Sequence, residues 1–395
     1  MKIKVGVFFG GKSVEHEVSV ISGLQAFSAL DREKYEPVPV YQAKDGTFYT
    51  GEKLGSIESF RDVKAAIRSA SAVDLVGENG RVFLKKRGAF AKKITYLDVA
   101  LPVYHGTCGE DGCFQGLCEQ IGLPYVGCDV CASAVGMDKG MMKAAFAYAG
   151  VPCLPCVKVA KADYFADTEA QIKLAEEKIG YPMIVKPYNL GSSVGIGKAT
   201  DRESLKAALE NVYNYTKAAL CEHCIENLRE INCSVLGDDE SARPSVCEEP
   251  CGAKDFLSYA DKYQGGGKGV KGSQENQGMS SLSRLVPAPL SPEMTEKVQK
   301  TAVSAFRAVG ASGVARIDLM IDKSTDELFV NEINTIPGSL SFYLWEKCGV
   351  SFNELLDEMI RLAFRRAEKR AEMTSSFDTN LLQTASFGGT KGAKR

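Results

Sequence analysis

No stretch of about 18 apolar residues occurs in this chain, so a membrane-spanning helix is not expected. No secretory leader is expected either: the run MKIKVGVFFGG is apolar only briefly and ends in glycines, which makes the cytoplasm the expected compartment. An excess of one charge is also absent, since 48 basic and 50 acidic residues leave a net charge of -2. Neither nucleic acid nor an anionic membrane is therefore implied as a partner. Histidine is scarce, with three residues, so the position of each carries weight.

Cysteine, by contrast, is plentiful at thirteen residues, with CxxC spacing at Cys128/Cys131, Cys153/Cys156 and Cys221/Cys224. A zinc ribbon needs two such pairs about 15 to 20 residues apart, and the intervals here are longer. In a reducing compartment a thiol packs as a small apolar residue, and that is the expected role.

A hydrophobic content of 45% and a charged content of 25% are those of a globular protein, and 395 residues exceed what one core supports, so two or three domains are expected. The run Ile3–Phe9 reads as a buried parallel strand entering Gly10-Gly11-Lys12-Ser13 and a helix from about Glu17. Such a turn suits an anion, because backbone N–H groups point outward at a helix start. It is neither GxxxxGK[ST] nor GxGxxG, so a P-loop or a dinucleotide fingerprint is not implied. Residues 35–50 and 72–87 are strand-rich around a helix over 57–69. A second buried strand, 97–106, delivers His105 to the loop GTCGEDG. Ligands bind at the C-terminal ends of strands in open α/β sheets, so His105 is expected to line a site.

A helix over 131–150 carries Lys139, and another spans 167–179. The strand Tyr181–Pro187 ends in Lys186. Residues 189–197 then have the glycine and serine density of a loop that lays N–H groups over phosphate, the plain alternative being a hairpin turn. Two strands lie within 218–236. The glycine-rich segment 256–283 is of the lid kind, and helices over 292–309 and 352–370 follow. Residues 372–395 read as a disordered tail.

Most of the chemistry falls in 313–338, GVARIDLMIDKSTDELFVNEINTIPG, two strands joined by the polar turn 322–326. Alternation sets Ala315, Ile317, Leu319 and Ile321 on one face and Arg316, Asp318 and Met320 on the other, with Glu332 and Asn334 likewise two apart. A turn centred near Ser324 puts Asp318 opposite Val330 and one diagonal step from Glu332. Two carboxylates, a carboxamide and a guanidinium on one patch suit Mg²⁺ with substrate phosphates. The plain alternative is a solvated face of an amphipathic hairpin.

In order along the chain, GGKSVEHEVS (10–19), HGTCGEDG (105–112), MDK (137–139), IVKP (184–187), GSSVGI (191–196), Lys262-Tyr263, RIDLM (316–320) and NEINTIPG (331–338) closely resemble the D-alanine–D-alanine ligases of the ATP-grasp superfamily. The resemblance covers residues 1 to about 370. It implies a multidomain α/β and α+β fold, with a Rossmann-like N-terminal α/β domain (1–130) followed by a two-lobed ATP-grasp fold. The lobes would span 131–224 and 225–371, the second carrying the lid 256–283, with the tail at 372–395. It also implies ATP and two Mg²⁺ ions, with Mn²⁺ as a substitute, D-amino acid substrates and a homodimer.

Residue by residue, Lys139 and Lys186 resemble the phosphate lysines, and Ser192 and Ser193 belong to the phosphate cover. Glu222, Ile225 and Glu230 fall where the family holds adenine and ribose, with Phe256, Met320 and Asn331 also on the nucleotide. Asp318, Glu332 and Asn334 match the metal ligands, and Arg316 and Lys262 the groups that steady the transferred phosphate. Glu15, with Ser192 and Tyr263, matches the group that holds the first substrate's ammonium, and Gly338 belongs to the catalytic set. A carboxylate phosphorylated by ATP becomes an acyl donor for an amine, and fixed cations stabilise both steps without a protein nucleophile.

Two features depart from the family. The serine that binds the second substrate's carboxylate is matched by Tyr343, so Ser339 or Ser341 takes over or the acceptor is held differently, and the lid is longer than usual. Tyr263 stands where depsipeptide-forming vancomycin-resistance ligases typically have histidine, which favours an amino acid acceptor. The expected activity joins two D-alanines. D-Ser or another amino acid is the alternative acceptor, and a nucleotide-binding regulator without catalysis is a third reading, against which the intact metal set argues.

Overall fold

The computed structural model describes residues 2–88, 91–191, 195–251, 284–374 and 379. The expected lid with Phe256, Lys262 and Tyr263, the cover residues Ser192 and Ser193, and most of the expected tail lie outside them. Among the described residues no helix is long and apolar enough to cross a membrane.

The first unit comprises β1 (Ile3–Gly10), α1 (His16–Ala29), β2 (Tyr35–Gln42), β3 (Phe48–Thr50), α2 (Val63–Arg68), β4 (Ser71–Glu78), β5 (Arg81–Lys86), β6 (Lys93–Leu97), β7 (Val99–Pro102) and α3 (Cys113–Ile121). Its sheet has the order β6-β5-β4-β3-β2-β1-β7. Only β2-β1-β7 are parallel. The rest is an antiparallel meander, with Asn79-Gly80 at φ 52° and 73° turning β4 into β5 as a two-residue hairpin requires. The Rossmann-like part is thus a three-strand parallel core. The turn after β1 is not an open anion cradle, because the Gly10 N–H already donates to Ser19 Oγ (2.9 Å) and the Gly11 N–H to the Gln42 carbonyl (2.8 Å). The helix expected over 57–69 starts as a 3-10 turn, Ile57–Asp62, and becomes α-helical at Val63, where Asp62 caps the Ala65 N–H.

Next come α4 (Val130–Met137), α5 (Lys139–Tyr148), β8 (Cys156–Ala160), α6 (Lys161–Ala166), α7 (Thr168–Lys178), β9 (Met183–Pro187), β10 (Gly197–Ala199), α8 (Arg202–Val212) and β11 (Ala218–His223). The one helix expected over 131–150 is two. Asp138 breaks it by accepting the N–H groups of Gly140 (3.1 Å) and Met141 (2.9 Å), so a new helix starts there. Glycine is required at 140, since a Cβ would lie 1.6 Å from the Tyr188 hydroxyl. The four strands form an antiparallel sheet, β10-β9-β11-β8, over a core that includes Val159, Ile172, Met183, Val185, Leu205 and Ala219.

The last part holds β12 (Leu228–Gly237), β13 (Ala242–Pro250), β14 (Arg284–Leu285), α9 (Pro292–Ala308), β15 (Gly313–Asp322), β16 (Glu327–Asn334), α10 (Phe342–Glu346) and α11 (Phe352–Glu372). Its sheet runs β14-β13-β12-β15-β16. The apolar face, with Ile231, Cys233, Ile317 and Leu319, packs on Val298, Ala302 and Phe306 of α9 and on Met142 and Phe146 of α5. The opposite face is left for polar side chains. Helix α11 returns to the first unit, where Leu355, Leu356 and Met359 share a core with Val5, Val7 and Leu24.

Candidate active site

The β15–β16 hairpin supplies the centre of the site, in a register that alternation alone does not give. Pairing runs from Asp322↔Glu327 to Leu319↔Val330, skips Asn331, and resumes at Asp318↔Glu332. One extra residue on β16 thus makes a bulge that sets Asp318 directly opposite Glu332, not opposite Val330. Asp318 in turn faces Asn232 on β12, and Asn232 faces Glu248 on β13. A single polar row therefore crosses four strands.

Asp318 is gripped by Arg316 through Nε (2.6 Å) and Nη2 (2.8 Å), and Asn334 Nδ2 donates to it at 3.1 Å. Lys139, only 7% exposed, is no solvated helix lysine. Its ammonium donates to the Leu190 carbonyl (3.0 Å) and lies 3.2 Å from Glu332. Two directly opposed carboxylates with an adjoining carboxamide are hard oxygen donors of the kind Mg²⁺ takes, and two cations now balance their charge.

Beside this lies a buried cluster built by β9, β11 and α5. Glu222 sits between Lys143 Nζ (3.0 Å) and Lys186 Nζ, and Lys186 also donates to the carboxamide oxygen of the bulged Asn331 (3.0 Å). Burial drives the Glu222 carboxyl up, but Lys186 and Lys143 outweigh it and hold it below its ordinary value. Burial pushes the Lys186 ammonium down, with Lys143 and Lys139 adding to that and Glu222 opposing it. Next to them Ile225, Met320 and Leu154 form an apolar cluster, and Glu230 pairs in register with Met320. Apolar walls beside buried ammonium groups suit a flat base joined to phosphates.

On the other side, the Glu15 carboxylate lies between two glycines. A methyl group on Gly106 would stand 3.2 Å from Glu15 Oε2, and one on Gly191 3.6 Å. His105 is buried, and its Nδ1 meets the Ile336 carbonyl (3.0 Å), so Nδ1 must donate. Burial lowers its pKa, and the neutral ring's Nε2 then accepts from the Ser22 hydroxyl (3.1 Å). Ser22 Oγ receives the Ser339 N–H (3.1 Å), while the Ser339 hydroxyl donates to Gln25 (2.7 Å).

The turn Gly338–Ser341 holds Ser339, Leu340 and Ser341 at φ 51°, 53° and 51°. Three successive left-handed residues without glycine are strained, as functional turns often are. The Ser341 hydroxyl is buried and has no hydrogen-bond partner among the described residues. Tyr343 instead donates to Glu248 (2.8 Å), which also accepts from Asn232 (2.8 Å) and pairs with Arg284 (3.3 Å), whose guanidinium lies 4.4 Å over the Tyr343 ring.

Most of the expected residues thus converge, those outside the described residues excepted. Four that sequence reading missed join them: Lys143, Glu110, Glu248 and Arg284. Nothing in their spacing marks them, because each has a partner distant in the chain: Lys143 has Glu222, Glu110 has Ile336, and Glu248 has Tyr343 and Arg284.

Residues 4–128 match the family model described as D-ala D-ala ligase N-terminus, and residues 145–361 match D-ala D-ala ligase C-terminus. The chain belongs to the D-alanine–D-alanine ligase family. It is 38% identical over 384 residues to the D-alanine–D-alanine ligase of Thermosipho melanesiensis, across 96% of this chain and 98% of that protein. Among solved structures, the VanG D-Ala:D-Ser ligase from Enterococcus faecalis superposes with a TM-score of 0.75 at 30% identity, covering 92% of this chain and 100% of that one. The D-alanine–D-alanine ligase from Bacillus anthracis complexed with ATP gives 0.64 at 25% identity, covering 93% and 99%. The fold is accordingly ATP-grasp, and the chain is a ligase of that class.

Proposed function

We propose that this chain joins two D-alanines into D-alanyl-D-alanine at the expense of ATP, through an acyl phosphate. The observation that carries the reading is the row Glu332, Asp318, Asn232, Glu248, which joins oxygen ligands and buried lysines at one end to the separate polar cluster of Glu248, Arg284 and Tyr343 at the other. Lys139 and Lys186 neutralise phosphate oxygens, while Glu222, Ile225, Met320 and Glu230 hold the base and ribose. Asp318, Glu332 and Asn334 would hold two Mg²⁺ ions, with Mn²⁺ as a substitute. When bound, such ions offset the charge that builds on the phosphate.

Glu15 holds the ammonium of the first substrate. An oxygen of that substrate's carboxylate bonds to the γ-phosphorus as the bond to the leaving ADP breaks, and Arg316 steadies the transferred group. The amine of the second substrate then attacks the acyl carbon. The C–N bond forms, the C–O bond to phosphate breaks, and phosphate departs with the electron pair and takes up the proton that the amine gives up. Arg316 and the backbone at Gly338 face the charge that develops on the acyl group.

D-Ser as acceptor is a second reading, favoured by the cluster of Tyr343, Glu248 and Arg284 at the position of the family's serine. Under the same proposal the enzyme works as a homodimer in the cytoplasm, which sedimentation of the purified protein tests for the first part. Amino acid-dependent phosphate release, with the product identified by mass spectrometry, decides between acceptors. Turnover with another amino acid and none with D-Ala would overturn the first reading.

A further inference from the structure

The loop between β7 and α3 carries a group of ligating atoms that the ligation chemistry does not use. Cys108, Asp111 and Cys113 bring two thiol sulfurs and a carboxylate oxygen within 4.8 Å of one another, and among the described residues this is the one group of three His, Cys, Asp or Glu side chains so gathered. Both cysteines are exposed and Asp111 is half-buried, so the group is open to solvent. Among the described residues, none of the CxxC pairs belongs to such a group.

The arrangement is fixed by the backbone. Asp111 accepts the Cys108 N–H on Oδ2 (2.8 Å) and the Cys113 N–H on Oδ1 (3.1 Å). Cys108 sits at φ 65°, a left-handed turn that brings the loop back on itself. An ionised carboxylate has about four lone-pair directions, and the Cys113 thiol, which also hydrogen-bonds Asp111, gives up its place when a cation replaces its proton.

We propose that Cys108, Asp111 and Cys113 form a site for one thiophilic divalent cation of the zinc class, with solvent in the fourth position. Sulfurs about 2.3 Å from zinc stand about 3.8 Å apart in a tetrahedron, which the 4.8 Å limit on the three ligand atoms accommodates. The two N–H groups on Asp111 orient it as the outer partners of a ligand do. The site closes the loop around Glu110, whose carboxylate receives the N–H groups of Gly106 and Ile336, and so stiffens the joint between the first unit and the turn after β16.

The test uses the full-length reduced protein, Zn²⁺ competed against a chromophoric chelator, and Cd²⁺ in a separate titration read by thiolate charge-transfer absorption. Wild type is expected to bind one more equivalent than C108S/C113S, and Asp111→Asn to weaken that equivalent about tenfold. Zn²⁺ is expected to raise the melting temperature of wild type and not of C108S/C113S, as binding to the native state alone requires. Melting of the metal-free variants checks that they fold, and C131S, on a nearby exposed thiol, is expected to keep the equivalent. Equal stoichiometry in wild type and C108S/C113S overturns the proposal. So does loss of the equivalent in C131S, or a 108–113 disulfide in the isolated protein that binds no metal after reduction.

Discussion

The backbone N–H of Ile336 donates to the Glu110 carboxylate at 3.1 Å, across 226 residues of chain. The other carboxylate oxygen takes the Gly106 N–H at 2.6 Å. One half-buried side chain thus links the loop beside Glu15 to the turn that ends at Ser341.

Burial, with the charge of Glu15 in the same direction, pushes the Glu110 pKa from its ordinary 4.5 up to about 8. Between those values the native state keeps a proton that the unfolded chain releases, so this group's contribution to stability falls as pH rises, by up to about 1.4 kcal/mol per pH unit. Glu110→Gln removes the titration. In urea unfolding of substrate-free protein from about pH 5 to about pH 8, wild type should lose stability relative to the variant. A difference that stays constant across this window sinks the idea.

Removing Glu332 takes one of the two opposed carboxylates away from the reacting phosphate. Glu332→Ala should lower turnover at least about a hundredfold, on the scale seen when a group stabilising the transition state is deleted. Its far-ultraviolet circular dichroism should match wild type. Unchanged phosphate release would remove the metal assignment.

Lys143 and Lys186 share the Glu222 carboxylate inside the protein. Lys143→Met leaves that charge half neutralised and should cost about 3 kcal/mol of stability, the scale for breaking a buried pair. In the double variant with Glu222→Gln the combined loss should be smaller than the sum, because the stranded charge is gone. Additive losses by denaturant titration would contradict the pairing.

Tyr343 reaches Glu248 at the far end of the row, away from Lys139 and Lys186. Tyr343→Phe should raise KM for the acceptor about tenfold, one hydrogen bond's worth, while KM for ATP stays unchanged. Acyl phosphate formation, followed by positional isotope exchange in ATP, should be unaffected. Equal changes in both KM values would mean that Tyr343 does not act on the acceptor.

Much of this site is legible in the sequence because alternation in a strand is a short-range rule. Arg316, Asp318, Glu332 and Asn334 fall on one face for that reason, and the turn at 322–326 joins them. The bulge at Asn331 is not legible, since an extra residue in a strand leaves the apolar pattern nearly intact, and it decides whether Asp318 faces Val330 or Glu332. Lys139 reads as a surface lysine only while 131–150 is taken for one helix. The sign against that is local: an aspartate just before Lys139-Gly140, ready to cap a new helix. Lys143, Glu110 and Glu248 gain their meaning from partners brought in by the fold, which periodicity does not report. The strand expected over 97–106 is shorter, since β7 ends at Pro102, and His105 lies beyond it with both ring nitrogens bound to protein atoms.

The row from Glu332 through Asp318 and Asn232 to Glu248 also acts as a ruler. Neighbouring strands lie about 4.8 Å apart, so three steps separate its ends by about 14 Å. That length is set by backbone hydrogen bonds, not by side chains that adjust. Deleting one residue early in β12 would bring Cys233 onto this face in place of Asn232, and the scale would lose its middle mark.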